Sequence, residues 1–157
     1  VKAGLVEAVR GRSAFMVHFA RATEAFPMPI GFFNNLLTPD GKGDAVDLKK
    51  GGIFPIVHGI RSMALERGLA ETNTAQRIQR IVEAGTFSRD FGRDLTQALY
   101  LLMTFRLDAQ LAAAGAATAL VRPDMLSSTQ RDVLREALGV VKQLRDIVRR
   151  HFNLGAF

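Results

Sequence analysis

The chain has 157 residues, of which 48% are hydrophobic and 23% are charged, and its formal net charge is +6 at pH 7. This balance predicts one globular domain over residues 1–157 with a single core, and it excludes an intrinsically disordered chain. The absence of cysteine excludes disulfides, thiol chemistry and cysteine metal sites, and it is typical of a reducing compartment, so we expect a cytoplasmic protein.

The first predicted element is a helix over residues 5–25, where apolar side chains recur at helical spacing. The connection over residues 27–50 is then rich in proline and glycine, which interrupt helices and predict a turn. Residues 32–37 and 45–49 flank this turn and could pair as a short β-hairpin within the connection.

Two further helices are predicted from their apolar spacing and from their end signals. The second helix follows the pair Gly51 and Gly52 and ends at Gly68, which can adopt the left-handed conformation that closes a helix. The third helix begins after Asn73, which is a suitable N-cap, and ends at Gly85.

The fourth helix is predicted to begin after Ser88 and to be apolar on all sides over residues 95–105, which indicates a central helix. That run has only about half of the ~20 residues that cross a bilayer, so we expect no membrane span. A cap signal at residues 126–130 opens a fifth, clearly amphipathic helix. Together these elements predict an all-α, up-and-down bundle of about five helices.

Arg106 follows the apolar run of the fourth helix and is the first candidate for a functional site. A buried guanidinium without a partner is costly, so Arg106 should pair with a carboxylate such as Asp47 or Glu66, reach the surface, or bind an anionic ligand. Gln110 lies one helical turn further on and can complete a polar pocket with Arg106. The competing interpretation is an internal ion pair that only fixes the positions of the helices.

Lys49 and Lys50 precede two glycines, and a glycine-rich turn before a helix can present backbone amides to a phosphate. The segment lacks the spacing of a P-loop and of a dinucleotide-binding loop. We therefore favour the interpretation in which Gly51 and Gly52 only turn the chain into the second helix.

His58 and Arg61 lie one helical turn apart and can face the same side, although a lone histidine is more often a core or capping group than a catalyst. The histidines do not have metal-ligand spacing, so no metal site is predicted. Arg77 shares its helix with Arg80 and Glu83, which indicates a solvated charged face first and an anion-binding face second.

Catalytic chemistry has no clear basis in this sequence. Nucleotidyl transfer requires carboxylates that hold Mg²⁺ beside a turn that admits a triphosphate. Here the acids are scattered singly, and no Gly-Ser turn is followed by an Asp-x-Asp pair. We expect no catalytic residue and no cofactor in this chain. The arginines are also scattered among acids, which disfavours a nucleic-acid interface.

Several segments, in this order along the chain, resemble the C-terminal helical domain named "putative nucleotidyltransferase substrate-binding domain". The segments are PIGFF at 29–33, VDLKKGGIFPIVHGIRSMAL at 46–65, TNTAQR at 72–77, FRLDAQ at 105–110 and LSSTQR at 126–131. The resemblance covers nearly the whole chain, and the ordered set is more specific than any one segment. The alanine-rich stretch at residues 112–119 departs from the family's pattern, which argues against a ligand contact there.

In that family the domain follows a nucleotidyltransferase domain similar to that of the PII uridylyltransferase, commonly with CBS or cyclic-nucleotide-binding domains in front. The resemblance therefore implies a bacterial signal-transduction protein whose catalytic domain, with its nucleotide and magnesium, lies elsewhere in the same polypeptide. It also implies a bundle related to the one in kanamycin-type nucleotidyltransferases. Since the chain begins with Val1 and the helical pattern starts almost at once, we expect a piece of a longer polypeptide, and the resemblance implies that it is the C-terminal module.

The resemblance and the charge pattern together nominate one set of substrate-binding residues. The set is Asp47, Lys49, Lys50, His58, Arg61, Arg77, Arg106 and Gln110. The first hypothesis is a non-catalytic module that packs on a nucleotidyltransferase domain and helps to hold its acceptor, which a protein would fit. The second hypothesis is a structural or regulatory interaction domain without a small ligand, and self-association into a homo-oligomer stays open in both.

Overall fold

The computed structural model describes residues 13–30, 45–113 and 120–155. These residues form five α-helices and two short 3₁₀ turns, and within them no extended strand is formed. The helices are α1 (Ser13–Arg21), α2 (Phe54–Glu66), α3 (Thr74–Glu83), α4 (Arg89–Ala112) and α5 (Ser128–His151), and the 3₁₀ turns are Ala22–Glu24 and Pro123–Met125. The predicted all-α bundle of about five helices is confirmed. None of the helices described has the length and apolarity needed to cross a membrane.

Capping side chains fix the starts of the later helices, as predicted. The Asn73 side chain accepts a hydrogen bond from the Gln76 amide at 3.2 Å, and Ser88 Oγ accepts one from the Phe91 amide at 3.1 Å. Ser127 forms a reciprocal capping box at the start of α5. These bonds satisfy amides that have no partner inside the helix, so each helix begins where its cap occurs.

The predicted glycine-rich turn before α2 is itself helical. Residues Lys49–Ile53 form a wide π-helical turn that runs directly into α2, and the Gly51 amide already donates to the Asp47 carbonyl at 2.9 Å. A Cβ on Gly51 would lie only 2.6 Å from Pro29 Cδ, so the glycine permits close packing. The idea of a loop that offers free amides to a phosphate is wrong, and the glycines instead serve to pack the chain as it enters α2.

Two predicted elements lie partly outside the described residues. The first predicted helix spans residues 5–25, and the structure describes its later part as α1 followed by a 3₁₀ turn. For the predicted hairpin, residues 32–37 are outside the described part. Its other half is not a strand, because Lys49 is helical and Val46 instead forms an isolated antiparallel bridge with Val121.

The core lies where α2 meets α4 and α5. A Cβ on Gly52 would lie 3.0 Å from Leu102 Cδ1, and one on Gly59 would lie 3.2 Å from Val148 Cγ2. Leu102 and Val148 are fully buried, together with Leu138, which also faces Gly52. Gly52, just before α2, faces Leu138, and Gly59 further along α2 faces Val148. Helices α2 and α5 therefore run in the same direction.

Helix α4 is less central than its sequence suggests. Leu95 and Leu102 are fully buried, but Tyr100, Met103 and Leu107 are each about half exposed. Helix α3 has ten residues and α4 has 24, so α3 can run along only part of α4, and no other described helix covers this side. One side of α4 therefore belongs to the core, and the opposite side carries apolar residues that are exposed.

The substitution Leu102→Ala should lower the free energy of unfolding by about 2–5 kcal/mol, because it leaves a cavity against Gly52 that the close-packed helices cannot fill. Chemical denaturation measures this change. Leu107→Ala on the exposed side of the same helix is the control and should cost about 0.5 kcal/mol or less. Equal losses for the two variants would contradict the assignment of the buried face.

Candidate functional site

The structure places the eight predicted site residues in four environments. Asp47, Lys49 and Lys50 lie at the π-helical turn, His58 lies in a buried aromatic contact, Arg61 and Arg77 lie between α2 and α3, and Arg106 and Gln110 lie half-buried on α4. In the described part of the chain, Asp47 and Lys50 are joined by a hydrogen bond and an ion pair, and no other side-chain hydrogen bond or ion pair joins two of these eight residues.

Asp47 is bonded locally rather than to a distant arginine. Its Oδ1 accepts a hydrogen bond from the Lys50 amide at 3.0 Å, and its Oδ2 lies 3.7 Å from Lys50 Nζ. Lys50 Nζ also lies 5.8 Å from the centre of the Phe26 ring, which is a cation–π distance. These contacts line a cavity of about 660 Å³ that also contains Pro29 and Leu120. The Asp47 carboxylate therefore stabilises the π-helical turn.

His58 connects α1 to α2 inside the core. Its Nε2 lies 2.7 Å from the Phe19 carbonyl oxygen, which can only accept, so Nε2 carries the proton. The ring stacks on Phe54 with the centroids 5.2 Å apart, and the Phe19 ring lies 4.6 Å away on another side. His58 is only 8% exposed, whereas Arg61 is exposed, so the expected shared face is not formed. The position of His58 fits the core role of a lone histidine.

Arg61 and Arg77 form a cationic pair between α2 and α3. Arg77 is half-buried, and its Nε donates a hydrogen bond to the Glu71 carbonyl at 2.8 Å. Burial lowers the pKa of Arg77, the nearby positive charge of Arg61 lowers that pKa further, and Glu71 raises it. Among the residues described, neither arginine has an ion pair at its terminal nitrogens. The pair therefore combines two positive charges with no ion pair to a described acid.

The neighbouring Arg80 is satisfied by acids, unlike Arg77. Its Nε donates to Glu71 Oε1 at 2.7 Å and its Nη1 donates to Glu83 Oε2 at 3.0 Å. The hydrogen bond from Arg80 is the main reason that the pKa of Glu71 falls below its usual range, and the same bonds raise the pKa of Arg80. The Glu71 carboxylate is therefore hydrogen-bonded to Arg80, and it acts on Arg77 only through its charge.

Arg106 and Gln110 are half-buried side chains on α4. Neither acid proposed as a partner for Arg106 is paired with it: Asp47 is held by Lys50, and Glu66 Oε2 contacts Arg67 at 3.1 Å and His151 at 2.6 Å. Of the three alternatives for Arg106, an ion pair with Asp47 or Glu66 is not formed, because both carboxylates have nearer cations. Contact with solvent and contact with an anionic ligand both stay open for Arg106.

Comparison with known proteins assigns the fold described above to a family. A family model described as "Putative nucleotidyltransferase substrate binding domain" matches residues 13–152, which include all five helices. The chain belongs to this family. Searches of curated proteins and of solved structures gave no match. The resemblance inferred from the sequence segments is thereby confirmed, and the family's description is consistent with an accessory domain.

The residues described in this family member include no group of three or more histidines, aspartates or glutamates arranged to hold a metal ion. Sequence reasoning missed one surface of the domain, the exposed apolar side of α4 that contains Tyr100, Met103, Leu107 and Leu111. Their spacing of three and four residues is visible in the sequence. That spacing alone predicts that these four residues lie in the core, because apolar residues also occupy the opposite side of the helix.

Replacing His58 tests whether it is a structural residue. His58→Phe keeps a flat ring beside Phe54 but removes the donor to the Phe19 carbonyl, and we expect a loss of about 1–3 kcal/mol in the free energy of unfolding. Thermal or chemical denaturation followed by circular dichroism measures it. An unchanged stability would mean that the Nε2 hydrogen bond contributes nothing to the fold.

Thr23, which packs beside Gly59, provides the matched comparison for His58. Its hydroxyl is buried and has no hydrogen-bond partner among the described residues, so it incurs a desolvation cost that no bond offsets. Thr23→Val removes that cost at nearly constant shape, and we expect equal or higher stability. A clear loss of stability in Thr23→Val would show that the hydroxyl has a partner in solution.

Proposed function

We propose that this chain is a non-catalytic accessory domain of a nucleotidyltransferase, similar to the PII uridylyltransferase, and that it binds an anionic group of the acceptor substrate. Membership of the substrate-binding-domain family supports the general role. The observation that carries the specific part is the Arg61–Arg77 pair, in which two like charges lie close together without an ion pair in the described residues. The proposal places the nucleotide, the magnesium and the catalytic carboxylates in a separate domain of the same polypeptide.

The arrangement of Arg77 suits recognition of a phosphate or carboxylate. Its Nε is held by the Glu71 carbonyl, which fixes the plane of the guanidinium and leaves the terminal nitrogens without a hydrogen-bond partner among the described residues. A guanidinium presents parallel N–H donors that match the oxygens of an anion in a bidentate contact. An anion that binds both Arg77 and Arg61 would also relieve the repulsion between them. Lys49, Lys50, Arg106 and Gln110 remain further candidates in this proposal.

A second candidate function is an interaction domain that transmits a signal and binds no small ligand. The observation that favours it is the exposed apolar side of α4, where Leu111 is 70% exposed and Leu107 is 54% exposed. An apolar surface of this kind commonly marks a protein contact. The two candidates use different surfaces, and separate measurements can therefore test them.

Titration calorimetry with ATP, UTP and inorganic pyrophosphate tests the anion-binding role of Arg77. Arg77→Met should weaken binding of the preferred probe by about 10–100-fold, which corresponds to the loss of one charge-assisted contact. Arg93→Met is the control, because it removes the same charge from an exposed arginine that is already paired with Asp90 at 3.0 Å. The control should change affinity by less than about twofold.

Two results would contradict the anion-binding role. One is that none of the three probes binds the unmodified chain, and the other is that Arg77→Met and Arg93→Met weaken binding equally, since a general charge effect would then explain both. In either case the interaction domain would be the better interpretation. Co-purification with a separately expressed catalytic domain from the same gene would test the accessory role itself.

A further inference from the structure

One side of α4 forms a continuous exposed surface from one end of the helix to the other. It consists of Arg89, Arg93, Thr96, Tyr100, Met103, Leu107 and Leu111, which recur every three or four residues and so line the same side of the helix. Tyr100 is 55% exposed, Met103 is 49% exposed and Leu107 is 54% exposed. We call this surface the α4 face. Its later half is apolar, and no described element covers it.

The first half of the α4 face forms a wall of a groove between α3 and α4. The groove has a volume of about 840 Å³ and extends along α4 from Arg89 to Thr104. Its lining includes the small residues Ala75 and Gly92, and a Cβ on Gly92 would collide with Val82. The absence of a side chain at Gly92 lets the two helices approach closely at the floor of the groove. A groove between two helices is a common binding site for a third helix.

The groove ends at a positive charge that lacks an acidic partner among the described residues. Arg89 is the first residue of α4, where the partial positive charge of the helix terminus disfavours a cation. Arg89 forms no ion pair with another described residue, whereas Arg93 is paired with Asp90 at 3.0 Å and lies 3.7 Å from Asp94. A carboxylate placed at this end of the groove would be attracted by Arg89 and by the helix terminus together.

Charge also decides between a second copy of the chain and a different partner. The residues that form the α4 face include arginines but no aspartate or glutamate. In a symmetric pair, the same face of a second copy would meet Arg89 with apolar or cationic side chains. Such a pair would leave Arg89 without a carboxylate. A different protein segment that carries a carboxylate at this end therefore complements the groove better than a second copy of the chain does.

We propose that the α4 face and the groove bind an amphipathic helix of a partner protein, with apolar residues along one side and a carboxylate where the helix meets Arg89. The distance from Arg89 to Leu111 corresponds to about 33 Å of helix, so a partner helix of about 20 residues would cover the whole face. This site is separate from the Arg61–Arg77 pair and does not depend on the function proposed for that pair.

Synthetic helices provide the test. Two peptides of about 22 residues carry leucines at positions i, i+3, i+4 and i+7 and a pair of glutamates at either the first or the last turn, because a partner helix can run in either direction. A third and a fourth peptide replace the glutamates with lysines. Fluorescence anisotropy measures their affinity for the unmodified chain. We expect one glutamate peptide to bind at least about tenfold more tightly than its lysine counterpart.

Variants of the chain locate the site. Leu107→Glu should weaken the preferred peptide at least about tenfold, whereas Met125→Glu, at an apolar residue that is 76% exposed elsewhere, should have less than about a twofold effect. Arg89→Glu should lower the affinity for the glutamate peptide and raise the affinity for the matching lysine peptide. Arg77→Met should leave peptide binding unchanged, so failure of this proposal and failure of the anion site are distinguishable. Circular dichroism checks that each variant is folded.

Three results would overturn the proposal. The first is that no peptide binds, and the second is that Leu107→Glu and Met125→Glu have the same effect. The third is concentration-dependent dimerisation of the unmodified chain, seen by analytical ultracentrifugation and lost in Leu107→Glu. That result would assign the α4 face to a second copy of the chain.

Discussion

The π-helical turn and α2 pack closely against their neighbours at three glycines, and at Gly51 there is no room for a Cβ. A Cβ at Gly51, Gly52 or Gly59 would come within 2.6, 3.0 or 3.2 Å of Pro29, Leu102 or Val148. Glycine inside a helix costs about 0.5–1 kcal/mol relative to alanine, and here the dense packing of large aliphatic side chains offsets that cost. The positions of His58 and Arg61 depend on this packing, because both residues belong to α2.

The features that the sequence predicts well are local ones. Asn73 and Ser88 each accept a hydrogen bond from an amide three residues ahead, so a few neighbouring residues determine where each helix begins. The environment of α4 could not be predicted in the same way. Tyr100 and Leu107 are exposed because no described helix covers that side of α4, and that depends on how separate helices align in space.

The candidate site shows the same division between local and distant interactions. The sequence identifies the charged groups, but it does not identify their partners. Asp47 contacts Lys50, three residues away, rather than Arg61 or Arg106, because a nearby amide and ammonium group are available without any tertiary contact. The proximity of Arg61 to Arg77 requires α2 and α3 to lie side by side, so no spacing rule within one helix could have indicated it.

The two sides of α4 meet two demands that usually conflict in a small domain: tight packing of the core and freedom to change a contact surface. Leu95 and Leu102, on the buried side of α4, contribute to the core and tolerate little change, whereas Leu107 and Leu111 contribute little to folding. Substitutions on the exposed side can therefore accumulate in evolution without loss of stability. Related domains can in this way diverge in what they contact while they keep the same bundle, so sequence differences confined to that side of α4 would record changes of partner rather than of fold.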